Sequence, residues 1–407
     1  MKYVVIIGGG AAGMMAAICA AQNGAQVTLI EKNEKLGKKI YITGKGRCNV
    51  TNDCEVTEFL ENVVTNKKFL MSALYTFSPY DLMEFLKKNG LKIKTERGNR
   101  VFPESDKASD VTKTLEKVMH RLGVKIVYNT NAFAFEINDN KIENVVTDIG
   151  KMYADKYVLC TGGVSYPTTG SDGSGLEIAK KAGHNVIKPV AGLVGLKANS
   201  PSDLAGLALK NGKVKSVKNQ KVLGEEFGEM LFTHHGISGP TVLTLSSKIN
   251  WQDFSQLKVS IDLKPALSEK ELDLRVQRDF AEFSNKQFSN SLDNLLPRSL
   301  ISVILKKSKI PLDTKVHQIT SEQRHYLVTL LKNLGFDLLG LEDITYAIVT
   351  SGGIDVKQIV PSTMKSKLVD NLYFAGEIID VDAVTGGFNL QIAFSTGYLA
   401  GMCCTEE

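Results

Sequence analysis

Four residues near the start of the chain have the types and the spacing of a dinucleotide site. Gly8, Gly10 and Gly13 fit the pattern G-x-G-x-x-G, and Glu31 follows 18 residues after Gly13. In this pattern the first glycine permits a tight turn, the second lets a pyrophosphate approach the backbone, and the third lets a helix pack closely on a strand. A carboxylate at the position of Glu31 can accept hydrogen bonds from a ribose diol. These residues therefore predict a dinucleotide-binding site.

The segments around these residues are the ones that such a site requires. Residues 4–7 form a short β-branched run that is typical of a buried parallel strand, and residues 11–23 predict a helix that ends before Gly24. A second strand is predicted over residues 27–30. Because the helix begins at the glycines, its first N–H groups and the positive end of its dipole would face a phosphate. The alternative is a glycine turn that serves only helix packing. It would not explain why both the glycine spacing and the position of the acid match a dinucleotide site.

A basic and glycine-rich loop follows Glu31. Residues 33–52 read NEKLGKKIYITGKGRCNVTN and supply Lys38, Lys39, Lys45 and Arg47. The loop must return across the mouth of the first turn, so its positive charges are expected close to the pyrophosphate. A solvated basic loop without a ligand is the alternative interpretation.

Two further strand ends carry residues suited to a ligand. The predicted strand over residues 155–160 ends in Thr161-Gly162-Gly163, and the strand over residues 372–375 ends at Gly376 and Glu377. Ligands of open α/β sheets gather at the carboxyl ends of the strands. The final helix starts directly after Gly386-Gly387, so its first N–H groups would also face the ligand. Residues 165–175 do not predict a second nucleotide loop, because they do not follow their strand at once and their glycine spacing differs.

The middle of the chain has a different pattern. Residues 190–265 contain short β-like runs that predict a small antiparallel sheet or barrel. Residues 267–335 contain three charged segments that predict helices over 268–283, 298–307 and 321–334. Strand character returns over residues 344–350. Within the β-rich part, His234 and His235 lie in a Gly- and Ser-rich loop, where they are either site residues or two solvated side chains of a turn. No metal site is predicted, because no carboxylate or cysteine stands at ligand spacing from them.

Composition narrows the class of protein. A chain of 407 residues with 43% hydrophobic and 23% charged residues is typical of a globular protein of two or three domains. The net charge of +5, without a basic run, does not favour nucleic acid or a membrane surface as a partner. No apolar run reaches the roughly 18 residues of a membrane span. The six cysteines include no C-x-x-C, which favours reduced thiols and a cytoplasmic location.

Long blocks of the chain resemble a known family. Together with the glycine pattern and Glu31, they look like the flavoproteins of the glutathione-reductase-like class, and they are similar in particular to the HI0933-like family, also called BaiN-like or aminoacetone-oxidase-like. The blocks are TGKGRCNVTN (43–52), TGGVSYPTTGSDGSG (161–175), MLFTHHGISGP (230–240), TSGGIDV (350–356) and LYFAGEIIDVDAVTGGFNLQIAFSTG (372–397). The second block is also similar to succinate dehydrogenase and fumarate reductase flavoproteins, but their catalytic arginine pattern is not evident here.

The resemblance implies an α/β fold with a Rossmann-type FAD-binding domain built from both ends of the chain, residues 1–189 and 342–407. A β-barrel-like domain (190–266) and a small helical subdomain (267–341) would be inserted between them. The cofactor would be FAD. The residues carried over as FAD contacts are Gly8, Gly10, Ala12, Gly13, Glu31, Lys32, Gly46, Arg47, Cys48, Asn49, Ala132, Phe133, Thr161, Gly162, Gly376, Glu377, Gly387, Phe388 and Asn389.

Each group of these residues has an expected partner in FAD. The resemblance assigns the first glycines to the pyrophosphate, Glu31 to the adenosine ribose and residues 132–133 to the adenine. It assigns residues 46–49 to the flavin and its linker, residues 376–377 to the ribityl chain, and residues 387–389 to the pyrimidine end of the flavin. A helix N-terminus there would stabilise the negative charge of reduced flavin.

The expected function is an FAD-dependent oxidoreductase that exchanges a hydride between flavin N5 and a small organic substrate. The family implies either amine oxidation or reduction of a C=C bond, and the use of NAD(P)H stays open. His234 is the expected substrate-side residue, with His235, Tyr166 and Arg47 behind it. The alternatives are a tRNA-modifying flavoprotein and a flavin-binding protein without turnover.

Overall fold

The computed structural model describes residues 1–406, which form two compact units. The Rossmann unit consists of Met1–Gly192 and the chain from Asp343 onward, and the barrel unit is Leu193–Glu342. The segments predicted as a β-rich domain (190–266) and a helical subdomain (267–341) thus fall almost entirely in one compact unit.

Strands and helices are numbered along the whole chain. The strands of the Rossmann unit are β1 (Tyr3–Ile7), β2 (Gln26–Ile30), β3 (Thr51–Asn52), β4 (Val63–Thr65), β5 (Ile93–Glu96), β6 (Arg100–Pro103), β7 (Lys125–Val127), β8 (Ala132–Asn138), β9 (Lys141–Thr147), β10 (Gly150–Tyr153), β11 (Lys156–Leu159), β12 (Val186–Gly192), β19 (Val349–Ile354), β20 (Leu372–Phe374) and β21 (Asp382–Ala383). Its helices are α1 (Ala11–Gln22), α2 (Lys38–Ile42), α3 (Val56–Glu61), α4 (Met71–Thr76), α5 (Pro79–Lys88), α6 (Ala108–Arg121), α7 (Ser174–Lys181) and α12 (Phe388–Glu406). The barrel unit contains β13 (Leu196–Ala198), β14 (Ala208–Lys218), β15 (Lys221–Thr233), β16 (Gly236–Ser238), β17 (Lys258–Asp262), β18 (Leu334–Leu341), α8 (Pro240–Ile249), α9 (Glu269–Glu282), α10 (Arg298–Ser308) and α11 (Ser321–Lys332).

A five-stranded parallel sheet forms the centre of the Rossmann unit. Its order is β20-β11-β1-β2-β7, and every neighbouring pair is parallel. The carboxyl ends of all five strands therefore lie at the same edge of the sheet. The residues that follow four of these strands, Gly8, Glu31, Cys160-Thr161 and Ala375-Gly376, meet at this edge. The predicted Rossmann-type fold is confirmed.

The two ends of the chain pack together through α1 and α12. A Cβ atom added at Gly397 of α12 would lie 2.3 Å from the carbonyl oxygen of Ala12, and one added at Gly401 would lie 2.4 Å from that of Ala16. Only glycine permits this approach of two helix backbones. Although α12 has 19 residues, no helix among residues 1–406 is long and apolar enough to cross a membrane.

One strand differs from its prediction. The expected strand over residues 344–350 is wrong, because the strand is β19 (Val349–Ile354) and contains Ser351-Gly352-Gly353 within it. It pairs antiparallel with β12. A Cβ atom at Gly352 would lie 2.7 Å from the carbonyl oxygen of Lys188. These glycines therefore allow close backbone approach inside a sheet, whereas the sequence favoured a strand end there.

The barrel unit is a closed six-stranded barrel with helices around it. The strand order is β13-β16-β15-β14-β17-β18, which confirms the predicted barrel. The sixth strand, β18, comes from the stretch that was predicted to be helical. Closure removes the free sheet edges. The helices α9 and α11 begin at capping boxes formed by Ser268 with Glu271 and by Thr320 with Gln323.

Candidate functional site

The three glycines of the first turn have different structural roles. Gly8 has a φ of 101°, and a Cβ atom there would lie 2.6 Å from the carbonyl oxygen of Cys160. A Cβ atom at Gly13 would lie 1.8 Å from the carbonyl oxygen of Gly8, so this glycine lets α1 pack against the turn. At Gly10, by contrast, no atom lies within 4 Å of the added Cβ. The open space is therefore at the N-terminus of α1, where a pyrophosphate would lie.

Glu31 is buried beside this turn and is held by backbone N–H groups. Its Oε2 accepts a hydrogen bond of 2.7 Å from the N–H of Gly9, and its Oε1 accepts from the backbone and side-chain nitrogens of Asn33 at 2.9 and 2.6 Å. The neighbouring Lys32 pairs with Asp172 at 2.7 Å. The ribose candidate is thus fixed in orientation, and Oε2 retains a lone pair for a hydroxyl.

The adenine candidates lie next to Glu31. The backbone N–H of Thr130 donates to the carbonyl oxygen of Glu31 at 3.0 Å, two residues before Ala132. Ala132 is half-buried and Phe133 is exposed. The structure therefore brings together two regions that are about 100 residues apart in the sequence.

Two hydroxyl groups next to the end of β11 are buried without a hydrogen-bond partner. They are Thr161 Oγ1 and Ser171 Oγ. Gly162, between them, has a φ of 76°, and a Cβ atom there would lie 2.8 Å from Ser171 Oγ. Buried polar groups are normally paired. A bound polyol or phosphate would supply hydrogen-bond partners for these two hydroxyl groups.

The side chain of Arg47 is held in place by two acids and an aromatic ring. Its guanidinium pairs with Glu96, and its terminal nitrogen lies 2.7 Å from Asp106. It also lies over the ring of Phe102, 4.2 Å from the centroid. The two acids raise the pKa of Arg47, with Glu96 contributing most. The structure therefore gives Arg47 a role in holding the 43–49 loop.

The rest of this loop adopts left-handed backbone conformations. Gly46 is exposed with a φ of 85°, and Cys48 is fully buried with a φ of 60°. Burial raises the pKa of the Cys48 thiol to about 12, so the thiol stays protonated and unreactive. Asn49 Oδ1 is buried without a partner. A Cβ atom at Gly387 would lie only 2.9 Å from this oxygen, so the loop meets the start of α12.

The first turn of α12 is fixed in place by its own side chains. Phe388 is buried and packs edge-on against Phe59, with ring centroids 5.0 Å apart. Asn389 accepts from the N–H of Ala383 at 3.0 Å and donates to the carbonyl oxygen of the same residue at 2.8 Å. Since the first N–H groups of a helix have no intrahelical acceptor, this turn presents donors for a ligand. Asn389 therefore positions the turn through its side chain.

At the end of β20, Gly376 makes a close contact with α1. Its φ is 80°, its N–H donates to Thr396 Oγ1 at 2.9 Å, and an added Cβ would lie 2.7 Å from the Cβ of Ala12. Glu377 follows, and Lys39 pairs with its carboxylate at 2.6 Å. The sequence predicted Lys39 near the pyrophosphate and did not predict its ion pair with Glu377. No local pattern signals this pair, because 338 residues separate its members.

Two buried acids, Asp380 and Asp382, follow Glu377 in the chain. Burial raises the pKa of Asp380, and it raises the pKa of Asp382 to about 6. Thr65 and Ser351 approach the carboxylate of Asp382 and act against this rise, but neither oxygen accepts a hydrogen bond of good geometry. Asp382 therefore gains a proton more readily than an exposed aspartate.

The substrate-side candidates are divided between the two units. Tyr166 belongs to the Rossmann unit, is half-buried, and has a φ of 52°, a conformation that is unusual for a non-glycine residue. His234 and His235 belong to the barrel unit, where both are exposed in the turn between β15 and β16. Their roles stay a prediction.

The residues of the Rossmann unit fit FAD. At the carboxyl edge of one parallel sheet lie the open space at Gly10, the oriented acids Glu31 and Glu377, and the buried Thr161 hydroxyl that lacks a partner. Asn49 adds a second buried oxygen without a partner beside Gly387. An extended dinucleotide would place phosphates, ribose and flavin along this edge. Bound FAD would supply hydride exchange at its N5 atom.

Comparisons with known proteins identify the family of this chain. Residues 2–403 match the family described as "HI0933-like protein Rossmann domain". The chain is 33% identical to the 3-dehydro-bile acid delta(4,6)-reductase of Clostridium scindens over 100% of both chains. It is 32% identical to the ribosomal RNA dihydrouridine synthase of Escherichia coli over 97% of this chain and 96% of that one.

A solved structure supports the fold. The 3-ketosteroid-delta4-(5alpha)-dehydrogenase of Rhodococcus jostii RHA1 is 14% identical, with a TM-score of 0.56 over 100% of this chain and 97% of that chain. The family match covers nearly the whole chain, and a relative that is matched over its full length at 33% identity is a reductase. The family and the class of reaction are therefore both shown. The chain therefore belongs to the HI0933-like family, and it is an FAD-dependent oxidoreductase.

Proposed function

We propose that this protein uses FAD to reduce a carbon–carbon double bond that is conjugated to a carbonyl group in a small organic substrate. One observation supports this choice over amine oxidation. The relatives at 33% and 32% identity have names that denote the same type of reaction. A 3-dehydro bile acid with delta(4,6) unsaturation carries a ketone next to its double bonds, and a dihydrouridine is a uridine whose carbonyl-conjugated double bond is saturated.

The chain's part in this reaction is to hold the cofactor and to supply a proton. Reduction of such a bond adds a hydride at the carbon far from the carbonyl and a proton at the carbon next to it. Donors aimed at the carbonyl oxygen stabilise the negative charge that develops there. The first turn of α12 provides N–H groups for the cofactor's negative end.

His234 is the proposed proton donor, and His235, Tyr166 and Arg47 are the proposed residues around the substrate. The exposure of both histidines makes them accessible to a ligand. Arg47 is engaged by Glu96 and Asp106, so we propose that it shapes the pocket and does not transfer protons. Tyr166 has the strained backbone that often marks a functional position.

The direct test separates the two directions of reaction. The bound flavin is photoreduced without air and mixed with an α,β-unsaturated ketone; we expect the yellow colour to return and the saturated ketone to form. Oxidised enzyme mixed with a small amine is expected to keep its colour. Bleaching by the amine, together with no reoxidation by any conjugated ketone, would overturn the proposal in favour of amine oxidation.

A matched pair of variants tests His234. His234→Ala is expected to keep its flavin and to slow reoxidation by on the order of 100-fold, within the usual range for loss of a general acid. His317→Ala removes another exposed histidine of the barrel unit and is expected to leave the rate unchanged. An unchanged rate in His234→Ala would remove this residue from the reaction.

A second candidate substrate is a uracil base in RNA. Relatives from two bacteria, Escherichia coli and Haemophilus influenzae, are named ribosomal RNA dihydrouridine synthases, each at 32% identity. The barrel unit contains 20 Lys and Arg against 16 Asp and Glu, so it carries most of the net positive charge of +5. Dihydrouridine formed in ribosomal RNA, with binding that weakens as salt rises, would favour this substrate.

The source of electrons and the cellular location belong to the same proposal. We propose NADPH or NADH as the reductant, tested by bleaching of the flavin without air. A cytoplasmic location is supported by the six cysteines, none of which forms a disulfide in the part of the chain that the structure describes.

A further inference from the structure

The carboxylate of Glu377 is held by three groups from separate parts of the Rossmann unit. Lys39 Nζ donates to Oε2 at 2.6 Å and to Oε1 at 2.9 Å. Ser165 Oγ donates to Oε1 at 3.1 Å, and the backbone N–H of Thr350 donates to Oε1 at 2.7 Å. Lys39 also donates to Ser165 Oγ at 2.6 Å. Lys39 is therefore the only one of the three that contacts both oxygens.

The two oxygens of this carboxylate differ in what they can still accept. A carboxylate oxygen has about two lone-pair positions. Oε1 already accepts from Lys39, Ser165 and Thr350, whereas Oε2 accepts from Lys39 alone. A Cβ atom at Gly162 would lie 3.9 Å from Oε2, so the side of Oε2 is lined by a glycine without a side chain. The remaining acceptor position therefore suits a ligand hydroxyl.

We propose that Lys39 is a positioning residue for FAD, which fixes the Glu377 carboxylate so that Oε2 meets a hydroxyl of the ribityl chain. The proposal rests on the placement of FAD at Glu377 and is independent of which substrate is reduced. Without Lys39, the carboxylate would be free to rotate about its side-chain bonds, and a negative charge would stay partly buried without its counter-ion. Both effects weaken the binding of a neutral polyol segment.

The environment makes this pair stronger than an ordinary surface ion pair. The side chains of Lys39 and Glu377 are only 24% and 20% exposed. Charge-assisted hydrogen bonds in such partly shielded positions are stronger than neutral ones. Elsewhere in the Rossmann unit, Lys87 pairs with Glu84 at 2.9 Å, with side chains that are 52% and 34% exposed, and such pairs contribute little. Lys87 therefore provides a control of the same residue type outside the residues expected to contact FAD.

The test measures the affinity of the protein for FAD. Apo-protein variants are titrated with FAD, and binding is followed by flavin fluorescence and by the fine structure of the visible absorbance band. Lys39→Met is expected to raise the dissociation constant on the order of 10-fold to 100-fold, as for loss of a hydrogen bond to a charged group. Lys39→Arg keeps the charge and is expected to weaken binding less. Lys87→Met is expected to change the dissociation constant less than twofold.

A double-mutant cycle with Glu377→Gln distinguishes positioning from direct contact. If Lys39 acts through Glu377, Lys39→Met weakens FAD binding in the native background and has little further effect in the Glu377→Gln background. Equal losses in both backgrounds would overturn the proposal, because Lys39 would then contact FAD itself. An unchanged dissociation constant in Lys39→Met would overturn it as well. Should Lys39→Met not fold, Lys39→Gln takes its place in the cycle. The measured quantity is FAD binding, so a failure of the proposed reductase activity does not affect the result.

Discussion

The replacement Asp382→Asn should make the protein more stable at neutral and alkaline pH. Asp382 is 1% exposed, and burial raises its pKa from 3.8 to about 6, with Asp380 and Glu377 adding smaller repulsions. Between these pH values the folded protein keeps a proton that the unfolded chain releases. The stability of the native protein therefore falls as pH rises through this window, and the loss is complete above about pH 6.

The size of the effect follows from the shift of the pKa. One pKa unit corresponds to about 1.4 kcal/mol, so the buried carboxylate costs the native protein up to about 3 kcal/mol at pH 8. Asparagine has nearly the same shape and no charge. The difference in the free energy of unfolding between Asp382→Asn and the native protein should therefore grow in favour of the variant from pH 4 to pH 7 and stay constant above.

Urea unfolding in saturating FAD, followed by the fluorescence of released flavin, measures this difference for the Rossmann unit. The series covers pH 4 to 8.5, with Asp203→Asn as a control at an exposed aspartate of the barrel unit. We expect the control to show a flat profile. A difference that is the same at every pH, or a variant that is less stable throughout, would refute the reasoning and would mean that Thr65 and Ser351 keep Asp382 ionised.

Two further stability predictions concern other parts of the Rossmann unit. Gly397→Ala should lower the free energy of unfolding by about 1–3 kcal/mol, because its Cβ would lie 2.3 Å from a carbonyl oxygen of α1; an unchanged melting temperature would show that α12 shifts freely. His184 is buried, contacts Ser366 Oγ at 2.7 Å, and has a pKa lowered by burial. As the pH falls, the unfolded chain therefore protonates this imidazole before the folded protein does, so the free energy of unfolding should fall below about pH 6.5. A free energy of unfolding that is the same at pH 7 and pH 5, or that falls as much in His184→Gln as in the native protein, would contradict this.

Local sequence patterns determined the nucleotide turn and many of the segments. The turn depends on glycine positions within six residues, and each of those glycines proved to have a distinct local requirement: a left-handed φ at Gly8, open space at Gly10 and close packing at Gly13. The helices α9, α10 and α11 lie within a residue or two of their predicted bounds, since their periodicity and end signals are also local.

Local sequence patterns were insufficient where the same residue type can have more than one structural role. The segment Ser351-Gly352-Gly353 predicted the end of a strand, because it contains two glycines. In the structure these residues lie inside β19, where β12 approaches closely. At Arg47, no local pattern predicted the ion pairs that its guanidinium forms with Glu96 and Asp106. In both cases the deciding partner is distant in the chain, and no local pattern contains it.

By itself, the sequence determined the nucleotide turn and the β-rich character of the middle of the chain, because these depend on short motifs and on the alternation of apolar residues. Its resemblance to the HI0933-like family supplied FAD as the cofactor and the candidate cofactor residues. Only the tertiary structure decided that Lys39 pairs with Glu377, that Asp382 is buried with a raised pKa, and that α12 packs against α1 through Gly397 and Gly401. The physical reason is that pairing, burial and close helix contact depend on which distant segments meet. The packing of the whole unit determines which distant segments come into contact, whereas a motif contains information only about its own few residues.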